Sequence, residues 1–216
     1  LAQEHLNTLA LSVEGARHTL HSTPCEDASK ATLVDGVFYL AVADGHGDAK
    51  HHLSNVGSKL AVDVAEPILR SALEALSLEP SQREIIALKE QIEKRIRWDW
   101  NQRCKAHLGI ESDGSWDEGL IAFGTTLLCC CGNDRGLLGF QLGDGDMVYS
   151  QDGTHQFLFA ESAELMGTVT HSLCQPYKHN QPACEYKHIL IGSEGIVYSG
   201  ICPCSFDKPH STREVG

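Results

Sequence analysis

Ala41-Val42-Ala43-Asp44-Gly45-His46-Gly47-Asp48 closes an apolar run that begins at Val37. A strand that stops in this way delivers Asp44 to the rim of a sheet. Gly45 and Gly47 let the backbone turn tightly and let carbonyls approach a ligand. A hard cation takes oxygen from carboxylates, carbonyls and water, and Asp44 with the Gly45 carbonyl offers two such ligands from adjacent residues. His46 stands beside them as a group able to move a proton. The competing reading of these eight residues is a strand followed by an ordinary polar glycine turn, and the stretch alone leaves both open.

Working outward, residues 31–34 and 37–43 flank Asp35-Gly36, a strong hairpin signal, so Asp44 ends the second strand of a hairpin. Residues 9–13 read as a first strand, and 15–30 as a polar, irregular segment containing Glu26-Asp27. From Leu53 the period changes. Leu53, Val56, Leu60, Val64, Ile68 (or Leu69), Ala72 and Leu76 recur at helical spacing, which predicts a helix over 53–78. Pro80-Ser81 breaks it, and Ser81 with Glu84 forms a capping box that starts a second helix running to about Leu108. Its apolar stripe is Ile85, Leu88, Ile92, Ile96 and Trp100. The short link makes the two helices antiparallel neighbours. His51, His52 and Trp98 read as helix-surface or packing residues.

After a polar loop over 109–119, strands are expected at 120–131, 137–142, 146–150 and 154–159. Gly132 to Gly136, Gly143-Asp144-Gly145 and Gln151-Asp152-Gly153 supply the turns of this meander. Its near-continuous apolar runs suit sheets covered on both faces. Residues 160–185 are irregular, and 186–192 form a last strand ending in Ser193-Glu194-Gly195. Residues 201–216 carry no periodic signal. Strands, two long antiparallel helices, then strands make an α+β layered domain.

The 216 residues suffice for one sizeable domain or two small ones. An apolar fraction of 42% and a charged fraction of 21% are ordinary for a soluble globular protein. The net charge of -12 argues against a nucleic-acid partner and is compatible with a carboxylate-rich metal site. No apolar run is long enough to span a bilayer, and residues 1–5 do not read as a signal peptide. The chain starts at Leu1 rather than Met, which reads as a trimmed chain. A cytoplasmic monomer is expected. Nine cysteines include no CxxC pair. Cys129, Cys130 and Cys131 would alternate faces of a strand and read as small buried residues in a reducing compartment. Cys174, Cys184, Cys202 and Cys204, with histidines nearby, leave a zinc site as an alternative, on irregular spacing.

Four acidic clusters fall in turns at expected strand ends: Glu26-Asp27, Asp44-Gly45, Asp144-Gly145-Asp146 and Glu194-Gly195. Together they would suit two hard cations, each of which needs several oxygens. For Asp144 and Asp146 the structural alternative is a tight-turn carboxylate bonded to its own backbone.

The order of these pieces resembles the metal-dependent protein serine/threonine phosphatases, the PPM or type 2C family, and its bacterial branch in particular. The matching stretches are Gly15-Ala16-Arg17-His18, Pro24-Cys25-Glu26-Asp27-Ala28, Val42-Ala43-Asp44-Gly45-His46-Gly47, Gly124-Thr125-Thr126-Leu127, Gln141-Leu142-Gly143-Asp144-Gly145-Asp146 and Ile191-Gly192-Ser193-Glu194-Gly195. They run in family order from residue 9 to about 200. The resemblance implies a four-layer α-β-β-α sandwich, two packed antiparallel sheets flanked by antiparallel helix pairs. It implies one domain over residues 1–216 that lacks the family's C-terminal segment. It further implies two Mn2+ or Mg2+ ions bridged by Asp44, with the Gly45 carbonyl on one ion. Glu26 and Asp27 would hold an ion or its waters, with Glu194 at the last acidic position. A water shared between the ions is the implied nucleophile, His46 the implied general acid, and phosphoserine or phosphothreonine in proteins the implied substrate.

Three departures accompany the resemblance. Glu194 stands where the family carries Asp. No equivalent of a further C-terminal metal-binding Asp follows, since Asp207 lies too near Glu194 in sequence. Ser22 occupies the position of a phosphate-gripping Arg, leaving Arg17, His18 or His21 as weaker phosphate contacts. Two functions are therefore compatible with the sequence. One is an active metallophosphatase. The other is a degenerate pseudophosphatase, or phosphoprotein-binding regulatory module, with an incomplete metal site.

Overall fold

The computed structural model describes residues 7–13, 24–77, 79–111, 113–151, 154–159, 171–177, 182–187 and 196–200. Asp35 and Gly36 sit at φ 50° and 75°, the paired left-handed conformation that a two-residue hairpin turn requires. They join β1 (Ala28–Val34) to β2 (Val37–Ala43). Helices α1 (Ser54–Ala75) and α2 (Gln82–His107) follow. The Ser81 hydroxyl accepts from the Glu84 amide while the Glu84 side chain accepts from the Ser81 amide, so the expected capping box starts α2. Then come β3 (Leu127–Asn133), β4 (Gly136–Leu142), β5 (Asp146–Gln151), β6 (Thr154–Phe157), β7 (Ala183–Lys187) and β8 (Ile196–Gly200). Within the described residues no helix is long and apolar enough to cross a membrane.

The strands form two sheets, ordered β1-β2-β3-β4-β7 and β6-β5-β8, with antiparallel pairing throughout. The period-2 alternation of strands sorts their side chains between two cores. Tyr39, Ala41, Ala43, Cys129, Cys131, Leu138 and Phe140 face the helices, meeting Ala61, Ala65, Ile68, Leu69, Ile92, Ile96 and Trp100. Phe38, Leu128, Cys130 and Leu137 face the second sheet, packing on Met147, Tyr149, Leu158 and Phe159. The three consecutive cysteines thus divide between the two cores. Burial of these thiols pushes Cys130 far above its ordinary value and Cys131 up to about 12. The architecture is α+β, with two packed antiparallel sheets and a helix pair on the larger one. The helix pair expected beyond the second sheet lies outside the described residues.

Four expectations need correction. Residues 9–13 form no strand; Leu9, Leu11 and Val13 are 84, 74 and 67% exposed, and apolar alternation becomes a strand only where a neighbouring strand pairs with it. The strand expected over 120–131 begins at Leu127. Residues Glu118–Phe123 form a 3-10 turn instead, started by Asp117, whose side chain accepts from the Gly119 amide; a short buried apolar run does not distinguish helix from strand. The meander is split between two sheets, because the turn through Gly143 and Gly145 (φ 103° and 119°) carries the chain from one sheet to the other. The strand expected over 186–192 starts earlier, at Ala183, and its later residues lie outside the described set. Strand β8 was missed because Ile196-Val197-Tyr198 is too short a run to signal one.

The helices meet the 3-10 turn through Gly57. A Cβ there would stand 2.0 Å from the Phe123 carbonyl oxygen, and the Gly57 carbonyl accepts from the buried Trp100 indole N–H at 2.9 Å. Gly57→Ala is expected to destabilise the protein by about 1–3 kcal/mol, the usual cost of overpacking a core. Chemical denaturation measures it, and a neutral result would show that α1 can slide without cost.

Candidate active site

The β1–β2 register runs from Val34↔Val37 to Ala28↔Ala43. One residue further on each strand stand Asp27 and Asp44, directly opposite each other. Ala28 and Ala43 point into the helix-side core. The alternation therefore turns both carboxylates the other way, toward the end of the space between the sheets, where they hydrogen-bond. The turn through Asp144 crosses between the sheets at this same end.

Asp44 is fixed through its backbone. Its amide donates to the Thr126 hydroxyl at 3.0 Å. Its carbonyl accepts from the Thr126 amide at 2.9 Å and from the Thr125 hydroxyl at 3.0 Å. Gly45 bridges Thr125, and the His46 amide donates to the Gly124 carbonyl at 3.0 Å. In such an antiparallel pairing the intervening residue turns its own N–H and C=O outward, so the Gly45 carbonyl faces away from Thr125. Gly45 has no room for a side chain, since its Cβ would stand 2.3 Å from the Glu26 carbonyl oxygen.

Glu26 is gripped by the start of α1. Ser58 Oγ donates to its carbonyl at 2.6 Å and Ser54 Oγ to its Oε1 at 3.1 Å. A carboxylate at a helix N-terminus is favoured by the helix dipole. One carboxylate oxygen of Glu26 is thus committed to the helix.

Burial, the most important cause, pushes the Asp44 carboxyl up to about 7, with the negative charges of Asp27, Asp144 and Glu26 adding to it. His46 moves the other way, down to about 4. Burial leads, the adjacent His51 and Lys50 add to it, and Asp144 opposes. His46 is a neutral imidazole at neutral pH. Its ring lies 4.9 Å, centroid to centroid, from that of buried His51. His51 Nδ1 lies 2.5 Å from the Ile121 carbonyl; a carbonyl only accepts, so this nitrogen carries the proton. A Cβ at Gly124 would stand 2.3 Å from His51 Nδ1 and 2.7 Å from His46 Cδ2, so Gly124 leaves space for both rings.

A profile of the Protein phosphatase 2C family matches residues 14–199. The chain belongs to that family. Among solved structures, this phosphatase 2C chain is similar to the serine/threonine phosphatase Stp1 from Staphylococcus aureus. Identity is 15% and the TM-score 0.51, over 87% of this chain and 76% of that one. A bacterial serine phosphatase is similar at 17% identity and TM-score 0.50, over 87% and 73%. RsbX in complex with magnesium is similar at 19% identity and TM-score 0.48, over 88% and 70%. A search of curated proteins gave no match.

Of the residues the sequence singled out in this phosphatase 2C chain, the structure brings Asp27 and Asp44 into contact and sets Glu26 and Asp144 within electrostatic reach. Gly45 and His46 continue directly from Asp44. Asp146 opens β5 and pairs with Gly200 of β8. Arg17, His18 and Glu194 lie outside the described residues, as do Cys202 and Cys204. Cys174 and Cys184 both lie in the helix-side core. Among the described residues no three His, Cys, Asp or Glu side chains form a metal-holding group. The donor chemistry nonetheless suits a hard divalent ion. The pair Asp27–Asp44 and the outward Gly45 carbonyl are oxygen donors, and the crowding that raises Asp44 is what a cation would relieve. An ion that keeps several waters needs only one or two protein carboxylates.

The sequence reading missed Ser54, Ser58 and Ser172, and the place of His51 at the site. His51, read as a helix-surface or packing residue, is indeed buried and packs on the His46 ring; its place beside His46 has no local signal beyond a position five residues later. The serines announce themselves by nothing in the sequence, because their partners lie 28 to 47 residues away.

Proposed function

We propose that this chain is a metal-dependent phosphatase acting on phosphoserine and phosphothreonine monoesters in proteins. The observation that carries the proposal is the half-buried Asp27–Asp44 carboxylate pair, placed by the hairpin register beside a neutral His46. Asp44, Asp27 and the Gly45 carbonyl would hold two Mn2+ or Mg2+ ions, with Glu194, Asp144 and Asp146 as further ligands. Such ions, when bound, lower the pKa of a water nucleophile and stabilise charge on the transferred phosphoryl group. Glu26, held by Ser54 and Ser58, orients the Asp44-Gly45 turn. Arg17 and His18 are proposed as weak phosphate contacts.

As the new bond to phosphorus forms, the bond to the seryl or threonyl oxygen breaks. His46 is proposed to give that oxygen its proton. Neutral in the free protein, the imidazole gains basicity when a phosphate dianion binds beside it, since a nearby opposite charge favours its charged form. The reading extends to a cytoplasmic monomer with phosphorylated proteins as partners. The seven described cysteines are all free thiols, which supports a reducing compartment.

The degenerate-module reading is favoured by Glu194, which stands where the family carries Asp. Mn2+-dependent hydrolysis of an aryl phosphate by the purified chain decides between the two. Glu is one methylene longer than Asp, about 1.5 Å, and misplacement of that order costs up to about a hundredfold in rate. Glu194→Asp is therefore expected to raise turnover or tighten Mn2+ binding, and Glu194→Ala to weaken it. A wild-type chain without metal-dependent turnover, together with a silent Glu194→Asp, would leave the binding module as the function.

A further inference from the structure

One residue beyond the apolar stripe of α2, Glu93, Arg97, Asn101 and Lys105 recur every four residues. On an isolated helix this row would be a solvated face. Here all four are buried, under two segments that arrive from elsewhere in the chain. Asn101 Nδ2 donates to the Gly114 carbonyl at 2.9 Å and Lys105 Nζ to the Ser115 carbonyl at 2.7 Å. Arg97 grips the other segment. Its Nη1 donates to the Leu173 carbonyl at 3.1 Å and to the Gln175 carbonyl at 2.8 Å. Its Nε donates to Glu93 Oε1 at 3.0 Å.

Apolar side chains could fill this space, and replacing a buried ion pair by them is often neutral for stability. What apolar side chains cannot do is hold two backbone carbonyls at a fixed position. The held segment leads to the candidate active site. Leu173 N donates to the Thr125 carbonyl at 3.0 Å, and Ser172 Oγ donates to that same carbonyl at 3.0 Å while accepting from the Thr125 amide at 3.1 Å. Thr125 in turn donates its hydroxyl to the Asp44 carbonyl. At the segment's other side the His171 carbonyl oxygen stands 2.9 Å from where a Cβ of Gly143 would be, against the turn that presents Asp144. Residues 171–175 therefore touch the supports of both carboxylates.

We infer that Arg97, paired with Glu93, is a positioning residue that latches residues 171–175 to α2 and so sets the placement of Asp44 relative to Asp144. Its catalytic consequence rests on the phosphatase reading; the latch itself does not.

The test compares Arg97→Met, Arg97→Lys and the double variant Glu93→Leu/Arg97→Met with wild type. The double variant removes both charges, so no unpaired buried carboxylate is left to unfold the protein. Arg70→Met is the control. Arg70 makes a similar fork to the Val37 carbonyl and the Thr32 hydroxyl, at the end of the hairpin away from Asp44. Amide exchange over residues 124–127 is measured in the metal-free protein, Mn2+ affinity by calorimetry, and turnover on an aryl phosphate. Loss of the latch is expected to deprotect the Thr125 and Thr126 amides and to weaken Mn2+ binding by about 10–100-fold, the usual effect of removing a ligand's support. The loss should fall on kcat, with KM within about twofold, and Arg97→Lys should lie between. Wild-type exchange and Mn2+ affinity in the double variant would overturn the inference, as would an equal loss in Arg70→Met. Should the double variant not fold, Arg97→Lys against Arg70→Met decides by the same two measurements. If wild type neither binds Mn2+ nor turns over, the phosphatase reading fails and the exchange data alone decide the latch.

Discussion

Asp44→Asn is expected to make the metal-free protein more stable at pH 8 while reducing Mn2+ binding and phosphatase activity to background. In the fold the Asp44 carboxyl is pushed up to about 7, against about 3.9 in an unfolded chain. Between those values the native state holds a proton that the unfolded chain has released, so stability falls as pH rises across that window. The favourable contribution is complete below about pH 4 and is lost once the pH passes about 7, where an ionised, half-buried carboxylate sits among Asp27, Asp144 and Glu26. Asparagine keeps the shape and removes the charge. For a chain of this size, each 1–2 kcal/mol recovered raises Tm by roughly 2–8 °C. Melts in chelator should show that gain at pH 8 and almost none at pH 4. His46 contributes with the opposite sign. Its depressed value gives stability that is present above about pH 6.5 and lost as the pH falls toward about 4. The difference between variant and wild type isolates Asp44, because His46 is common to both. Saturating Mn2+ should raise the Tm of wild type and leave Asp44→Asn unmoved. A variant less stable than wild type at pH 8 would mean that the Asp44 charge is satisfied within the metal-free protein.

His46→Ala should divide substrates by their leaving groups. A seryl or threonyl alkoxide needs a proton to depart; an aryl oxide departs without one. Removal of a general acid costs typically about 10²–10⁴-fold. A loss in that range is expected on a phosphothreonine peptide, with less than about tenfold on an aryl phosphate. The imidazole is hemmed by His51 and by the space above Gly124, so alanine removes a ring from a fixed place rather than a mobile surface group. Equal losses on both substrates, read from kcat/KM, would show that His46 positions water or packs the turn instead of delivering a proton.

Much of this fold is legible because its signals are local. Asp35-Gly36 specifies a turn by the backbone conformation it needs, and Ser81 with Glu84 specifies a helix start by hydrogen bonds three residues apart. The turn sets the register of the hairpin it closes, but Ser29-Lys30 carries no strand signal, so the extension of β1 back to Ala28, and with it the opposition of Asp27 and Asp44, is not legible. Tertiary decisions are not legible in this way. Leu9, Leu11 and Val13 have the alternation of a strand, but no residue in that stretch records whether a neighbour will pair with it. Residues 118–123 are as apolar as a strand and become a 3-10 turn because Asp117 caps them. His51, Ser172 and Arg97 act through partners far off in sequence, so no spacing announces them. In Glu93, Arg97, Asn101 and Lys105 the four-residue period is visible, but periodicity cannot tell a solvated row from one that other segments cover.

The hairpin that faces Asp27 toward Asp44 is closed seven residue pairs away from them, at Asp35-Gly36. Adding or deleting one residue at that tip would slip the pairing by one and send one of the two carboxylates to the opposite face. The tip touches none of the chemistry, yet its length is as binding on the site as the acids themselves. Relatives that preserve this pair should therefore vary the tip's residues while conserving its count, and length variation should collect in other loops.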